Sequence, residues 1–412
     1  MRSHTFLPGW RRTIRFNPLL LLSVCVPLLV PLWTHGQTYG VLYSFTGPTQ
    51  DGVSPAGIIR EGSGTLFGTT CNGGISYNGT AFELSSKGKE TIRYNFLGGY
   101  GSCPNSLLAW NGDLYGATSK GGAYGAGAMF RLDKKGNEVV LYSFTGPPQA
   151  NSPGLSLGDG KGSFYGTTFW GGANSRGSVF KINAAGKQSD LYSFTGGTDG
   201  QNPSLGLALD EDGNLYGTTT LGGDSKCVCG TVFKLDTAGT LTILHTFIGG
   251  TDGATPYGGV ILESSGNLYG TTDSGGDVSC APPDGCGTVF VVYPSGAEKV
   301  LYSFTGSPDG AGPIGNLVRD ELGNLYGTTN VGGDAECGVD YVKGCGVVFK
   351  LDTAGSETVL HRFTSSPDGA YPQLLILDNE DNLYGTTFAG GDAACITDHY
   401  WTGCGTVFEL AQ

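Results

Sequence analysis

Short apolar runs alternate with turns rich in glycine, aspartate and proline along nearly the whole chain, and no stretch sustains a helical period. The runs recur in a fixed order. One follows a proline, as in Leu205-Gly206-Leu207-Ala208-Leu209 after Pro203. The next reads Leu215-Tyr216-Gly217-Thr218-Thr219 and opens into a Gly-Gly loop. A third, Val232-Phe233-Lys234-Leu235, ends in the turn Asp236–Gly239. The fourth has the form Leu191-Tyr192-Ser193-Phe194. Runs this short, bounded by residues that suit tight turns, predict β-strands joined by hairpins.

The second run sets the repeat. Its aromatic position is held by Phe67, Tyr115, Tyr165, Tyr216, Tyr269, Tyr326 and Tyr384, in steps of 48, 50, 51, 53, 57 and 58 residues. A period of roughly 53 residues marks a repeat architecture. Four antiparallel strands per unit, repeated seven times, predict an all-β, seven-bladed β-propeller. Alternate residues of Leu-Tyr-Gly-Thr-Thr face opposite sides, yet both sides carry apolar groups, as in sheets stacked face to face. A two-sheet sandwich would not repeat in this way. The chain starts on a fourth-type strand, Val41–Phe45, and ends on a third-type strand, Thr406–Leu410. A linear array would leave both edges bare. The expectation is a ring in which the N-terminal strand completes the last blade beside Val407–Leu410. Loops after second and fourth strands then share one face.

The recurring Asn-Leu-Tyr-Gly-Thr-Thr, Gly-Gly and Gly-Thr-Val-Phe-Lys-Leu-Asp segments resemble the GloVer-type extracellular tandem repeat, known as a choice-of-anchor family, over residues 40–410. The resemblance implies a secreted bacterial repeat protein and brings no catalytic residues with it. The chain stops two residues after its last strand, without an apolar tail, which departs from anchored members.

Residues 1–36 differ from the rest. Arg2, Arg11, Arg12 and Arg15 precede the apolar run Leu19–Trp33, which Pro27 and Pro31 interrupt, and Thr34-His35-Gly36 closes the segment. This reads as a secretory signal peptide cleaved near Gly36, leaving a single domain over 37–412. The run is short of the ~20 apolar residues needed to span a bilayer. Leu22-Ser23-Val24-Cys25 approaches a lipoprotein box, but Val24 sits where a small residue belongs. Loss of four arginines leaves 19 Lys and Arg against 36 Asp and Glu, a net charge of −17. Such a surface disfavours nucleic acid and anionic membrane as partners. A secreted or periplasmic monomer is expected.

Ten cysteines remain, an even number that suits an oxidising compartment. Cys229, Cys286, Cys345 and Cys404 each precede the Gly of a third strand, and Cys227, Cys280, Cys337 and Cys395 lie shortly upstream. Four equivalent loop staples are predicted, with Cys227–Cys229 the tightest ring. Cys71 and Cys103 are left to pair. Cys-x-x-Cys pairs and interleaved histidines are missing, so no metal is expected at the cysteines.

Glycine supplies 73 residues and charged side chains only 14% of the chain, which concentrates candidate chemistry in a few loops. Units four to seven carry Gly-Gly-Asp at Asp224, Asp277, Asp334 and Asp392, where units one to three have Ile75, Ala123 and Ala173. Asp51, Asp199, Asp252, Asp309 and Asp368 precede glycines on the same face. This acidic sector could hold Ca²⁺ or accept sugar hydroxyls. The competing reading is turn chemistry, in which each carboxylate caps nearby amides. Asp210, Asp212 and Asn214 lack the downstream glutamate of a Ca²⁺ loop and read as a hairpin turn. Three loop aromatics, Trp170, Tyr400 and Trp401, are candidates for stacking on sugar faces. Of the histidines, His245 and His361 replace the tyrosine of the fourth strand, and His399 alone lies in a loop. No nucleophile motif accompanies it. The expected function is non-catalytic binding of an extracellular glycan or protein through the acidic face, without a cofactor other than Ca²⁺. The alternative is a hydrolase or lyase acting on carbohydrate through carboxylates or His399 at the channel mouth.

Overall fold

The computed structural model describes residues 37–412 apart from 48, 50, 63, 100, 147–150, 282, 335, 340, 341 and 396–401. Tyr400, Trp401 and His399 therefore lie outside the described residues, as does the whole 1–36 segment. Seven four-stranded antiparallel sheets form the blades of a propeller. Blade 1 runs Val53–Arg60, Leu66–Asn72, Thr80–Leu84 and Glu90–Asn95, each strand pairing with the next. Blades 2, 3, 4, 5 and 6 repeat this order from Ser102, Asn151, Gln201, Val260 and Val318. Blade 7 comprises Ala370–Leu377, Leu383–Ala389 and Thr406–Ala411, and Thr38–Ser44 supplies its fourth strand.

The closure is a true fourth strand. In the other six blades the third and fourth strands slip register just before the buried phenylalanine, as between Val232 and Phe233. The closing pair slips at the same place, with Val41 opposite Phe408 and Tyr43 opposite Val407. A bulge bends and twists the strand locally.

The repeated residues have definite packing roles. Each third-strand phenylalanine is fully buried and meets, edge to face, a fourth-strand phenylalanine of the preceding blade. Phe96 and Phe130 have centroids 4.9 Å apart, and Phe363 and Phe408 5.3 Å apart. Phe45 of blade 7 meets Phe82 of blade 1 at 5.2 Å, which carries the series across the closure. Such pairs contribute about 0.5–1.5 kcal/mol beyond burial. The glycine of Tyr-Gly-Thr-Thr leaves room for that ring: a Cβ on Gly270 would stand 2.6 Å from Phe290 Cζ. Asn and Tyr of the same motif clamp the preceding turn. The Asp320 carboxylate accepts from Asn324 N–H at 2.8 Å, Asn324 Nδ2 at 2.6 Å and Tyr326 Oη at 3.0 Å. The Asp210 turn is held in the same way by Asn214 and Tyr216.

The first strands lie innermost. In blades 4 to 6 they are shorter than the sequence suggests, with only Ala208–Leu209, Val260–Leu262 and Val318–Arg319 after the proline. Here backbones of neighbouring blades nearly touch. A Cβ on Gly206 would meet Gly259 Cα at 2.5 Å, and one on Gly258 would meet the Gly315 carbonyl at 2.7 Å. Glycines that permit this approach offer little to a strand ladder.

Candidate functional site

The residue before each first-strand proline is held in the left-handed region. Ser54, Cys103, Ser152, Asn202, Thr255, Gly312 and Tyr371 have φ between 54° and 61°. Non-glycine residues seldom adopt it, and proline further restricts its predecessor. The gain is a stitch between blades. Cys103 N–H donates to the Asn78 carbonyl at 2.9 Å, Asn202 N–H to Arg176 at 2.8 Å, and Ser54 N–H to Cys404 at 3.0 Å. Thr255, Gly312 and Tyr371 donate likewise to Cys229, Cys286 and Cys345. Beneath each stitch the proline sits on the glycine that opens the third strand. A Cβ on Gly287 would come within 2.6 Å of Pro313 Cδ.

These seven residues face a second ring, formed by the position after Thr-Thr: Cys71, Ser119, Phe169, Thr220, Asp273, Asn330 and Phe388. Cys71, Phe169 and Asp273 meet the pre-proline residue of the next blade, whereas Ser119 and Thr220 bond that of their own. Cys71 and Cys103 make this contact as a disulfide between blades 1 and 2. Ser119 Oγ donates to the Cys103 carbonyl at 3.2 Å, and Asn202 Nδ2 donates to the Phe169 carbonyl at 2.8 Å. Asp273 Oδ1 lies 3.1 Å from where a Cβ on Gly312 would stand. The scaffold is thus repeated sevenfold while the side chains at its rim differ blade by blade.

Inside this rim lies a cavity of about 460 Å³, lined by the innermost segments of all seven blades with Phe169 and Thr220 from second strands. Its polar groups come from Asn105, Ser106, Ser152, Ser204, Thr220, Asn316 and Gln373, and its apolar wall from Leu107, Leu155, Leu205, Ile314 and Leu374. None of the described lining residues is ionisable except Tyr257. Phe169 of blade 3 and Tyr257 of blade 5 meet over it with ring centroids 6.3 Å apart. Trp170 packs edge-on against Phe169 at 5.1 Å and remains 47% exposed. Asp273 stands beside Tyr257, its carboxylate makes no side-chain hydrogen bond or ion pair among the described residues, and burial pushes it up. Burial, then the Asp273 charge, pushes the Tyr257 hydroxyl up. The Asn202 side-chain oxygen is buried without a partner.

The acidic residues singled out in the sequence serve their own loops. Asp224 accepts from the amides of Lys226 and Cys227, and these bonds hold its carboxyl below the usual range. Asp277 is held down by Ser279 hydroxyl and amide. Asp334 accepts from Glu336 N–H and Asp392 from Ala394 N–H. Among the described residues, no hydrogen bond or ion pair joins any two of the four. The Asp-Gly carboxylates tie fourth strands to the loops that follow: Asp309 accepts from Tyr302 Oη at 2.6 Å and from Thr305. Gly276 N–H donates to Gly250 and Gly391 N–H to Ser365, which places both loop sets on one face. The ten cysteines stand in the five expected pairs, including Cys227–Cys229.

Sequence reasoning singled out Trp170 as a loop aromatic, whereas it ends the second strand Ser163–Trp170 of blade 3, and it passed over Phe169, Tyr257, Asp273 and Asn202. For Phe169 and Asp273 a signal was present in the repeat, since the position after Thr-Thr differs in every unit except for Phe169 and Phe388.

The profile of the Gloeobacter/Verrucomicrobia repeat matches residues 105–341, more than half the chain. No curated protein matches in sequence. Among solved structures, a streptogramin B lyase superposes with a TM-score of 0.59 at 14% identity, covering 91% of this chain and 97% of that one. The virginiamycin B lyase of Staphylococcus aureus solved with quinupristin gives 0.59 at 13% identity, over 91% and 99%. The extracellular domain of a B. thetaiotaomicron protein gives 0.55 at 9% identity, over 90% of this chain and 40% of that one. At these identities the likeness is one of fold. No helix of the described residues is long and apolar enough to cross a membrane.

Proposed function

For this chain, which belongs to the Gloeobacter/Verrucomicrobia repeat family, we propose binding of a small extracellular saccharide at the mouth of the central cavity. The observation that carries the reading is the meeting of Phe169 and Tyr257 over a cavity walled by neutral hydroxyl and amide groups. Aromatic rings offer a platform for the apolar face of a sugar, and Asn, Gln, Ser and Thr side chains both donate to and accept from its hydroxyls. The volume lies within the range of small-ligand pockets, about 300–1,000 Å³. Asp273 adds one unpaired acceptor at the rim. The acidic Gly-Gly-Asp loops support this reading less well, because their carboxylates are already engaged by backbone amides. The five cysteine pairs and the predicted signal peptide fit secretion or residence in the periplasm.

A hydrolase or lyase role would need an acid and a base in reach of one bond. Asp273 supplies a single carboxylate at the rim, and His245 and His361 sit in outermost strands. Binding without turnover is therefore the function proposed.

The test is a glycan array, followed by calorimetry and mass spectrometry of any ligand found. The double variant Phe169→Ala/Tyr257→Ala should abolish the signal with folding intact, whereas Asp277→Ala/Asp334→Ala should retain it. The opposite pattern moves the site to the acidic loops. A blank array overturns saccharide binding for the classes tested, and a cleaved ligand overturns the non-catalytic reading.

A further inference from the structure

Around the outer rim, the junctions of blades 4 and 5, 5 and 6, 6 and 7, and 7 and 1 bring together three corresponding positions. These are the fourth-strand residue opposite the valine of Val-Phe, the aspartate of the following loop, and the first residue of the next blade's fourth strand. Between blades 5 and 6 they are Tyr302, Asp309 and Glu357. Between blades 7 and 1 they are Tyr43, Asp51 and Glu90. In both, the tyrosine hydroxyl donates to the aspartate at 2.6 Å. Between blades 6 and 7 a histidine replaces the tyrosine, and Tyr39 stands in place of the glutamate. His361 Nε2 bonds Asp368 at 3.0 Å, and its ring stacks on Tyr39 at 3.6 Å.

The junction of blades 4 and 5 differs from all of these. It carries His245, Asp252 and Glu298, and one ligand atom from each lies within 4.8 Å of the others. His245 Nε2 is 3.3 Å from Asp252 Oδ1 but outside hydrogen-bond alignment, and it is buried without a hydrogen-bond partner. Glu298 Oε1 is also buried and unpartnered. Asp252 Oδ2 accepts from Ile248 N–H at 2.8 Å, which fixes the carboxylate and leaves Oδ1 turned to the histidine. The His245 ring is set edge-on against buried Phe247 at 4.7 Å. An imidazole nitrogen and a carboxylate oxygen without a hydrogen bond among the described residues thus converge on a second carboxylate, where an unmade bond is costly.

We propose that His245 Nε2, Asp252 Oδ1 and a Glu298 carboxylate oxygen bind a divalent first-row transition metal, with Zn²⁺ as the matching ion. Imidazole nitrogen and carboxylate oxygen are both zinc ligands, and three protein ligands leave a fourth tetrahedral place for water. Ca²⁺ and Mg²⁺ prefer oxygen ligands alone and fit the imidazole poorly. Bonds of about 2.0–2.1 Å to a tetrahedral ion space its ligand atoms roughly 3.4 Å apart. The histidine–aspartate pair already has that spacing, and a change in the glutamate rotamer closes the remainder. The ion would neutralise two facing carboxylates that have no cation of their own. The inference is independent of the cavity and its ligand.

The test uses the full chain without a polyhistidine tag, stripped with EDTA and titrated with ZnCl₂ by calorimetry. CaCl₂ and MgCl₂ serve as controls, and Co²⁺ absorption as a reporter of coordination. One Zn²⁺ per chain is expected. His245→Tyr, which copies the neighbouring junction, and Glu298→Gln should each weaken binding by about tenfold or more. His361→Tyr should leave it unchanged. Absence of Zn²⁺ binding in the wild type, or equal binding in His245→Tyr and Glu298→Gln, overturns the proposal. So does loss of binding in His361→Tyr alone.

Discussion

Asp273 faces Gly312 across the junction of blades 5 and 6, at the two positions that Cys71 and Cys103 bridge covalently between blades 1 and 2. A side chain at Gly312 would stand 3.1 Å from Asp273 Oδ1, so the glycine leaves that oxygen uncrowded. Ser54 and Ser152 occupy the equivalent backbone position at φ 54–56°, so serine is compatible with the conformation. Gly312→Ser is expected to crowd Asp273 and weaken saccharide binding, with stability changed by no more than about 1 kcal/mol. Calorimetry beside a urea melt checks it, and unchanged affinity would detach Asp273 from the site.

The outer rim should make stability fall as pH rises. Burial first, and then the charges of Asp51, Asp252 and Asp309, pushes Glu90, Glu298 and Glu357 up to about 7. Between the ordinary glutamate value near 4.5 and about 7, the folded chain keeps protons that the unfolded chain has released. Stability is thus greatest below that window and declines through it. Asp320 and Asp378 behave oppositely. Burial raises them, but bonds from Asn324 and Asn382 outweigh it and hold both carboxyls down, so their contribution disappears as pH falls below about 4. Urea midpoints measured in EDTA should peak near pH 4–5. Glu90→Gln/Glu357→Gln should flatten the decline toward neutral pH. An unaltered profile in that variant would remove these two residues from the account.

The Cys71–Cys103 bridge closes a 32-residue interval between blades. On chain entropy alone its loss, in Cys71→Ser/Cys103→Ser, should cost about 3–4 kcal/mol. Because the bridge also fixes two residues of the mouth, ligand dissociation should quicken. A variant as stable as the wild type would mean that the stitch from Cys103 N–H to Asn78 is sufficient.

Phe45→Ala tests the closure. It empties a fully buried position against Phe82. The expected cost is about 3–5 kcal/mol, that of a buried phenylalanine elsewhere. A much smaller loss, read from denaturant unfolding, would mean that the contact between blades 7 and 1 adds little to the ring.

The fold was legible because its causes recur. Glycine under a phenylalanine, Asn and Tyr on a turn aspartate, and a proline on a glycine appear in successive blades, so the pattern survives any one departure. The site was not legible for the converse reason. Phe169 lies in the third repeat and Tyr257 and Asp273 in the fifth, each standing as a deviation from the unit. Only closure of the ring brings them to one opening. The Gly-Gly-Asp residues drew attention because they repeat, and repetition here reflects turn geometry. His245 was read as a structural stand-in for tyrosine, since Asp252 recurs at that place in other loops and Glu298 becomes its neighbour only through the contact between blades.

Thr38 pairs with Ala411 and Tyr39 with Leu410. Two stretches more than 360 residues apart therefore share one sheet. The closing blade cannot form before its third strand has been made, so the ring acquires its last edge-to-edge protection after the other blades. The same adjacency makes the order of the blades arbitrary. A chain with its present ends spliced together and reopened between any two blades should recover the same ring.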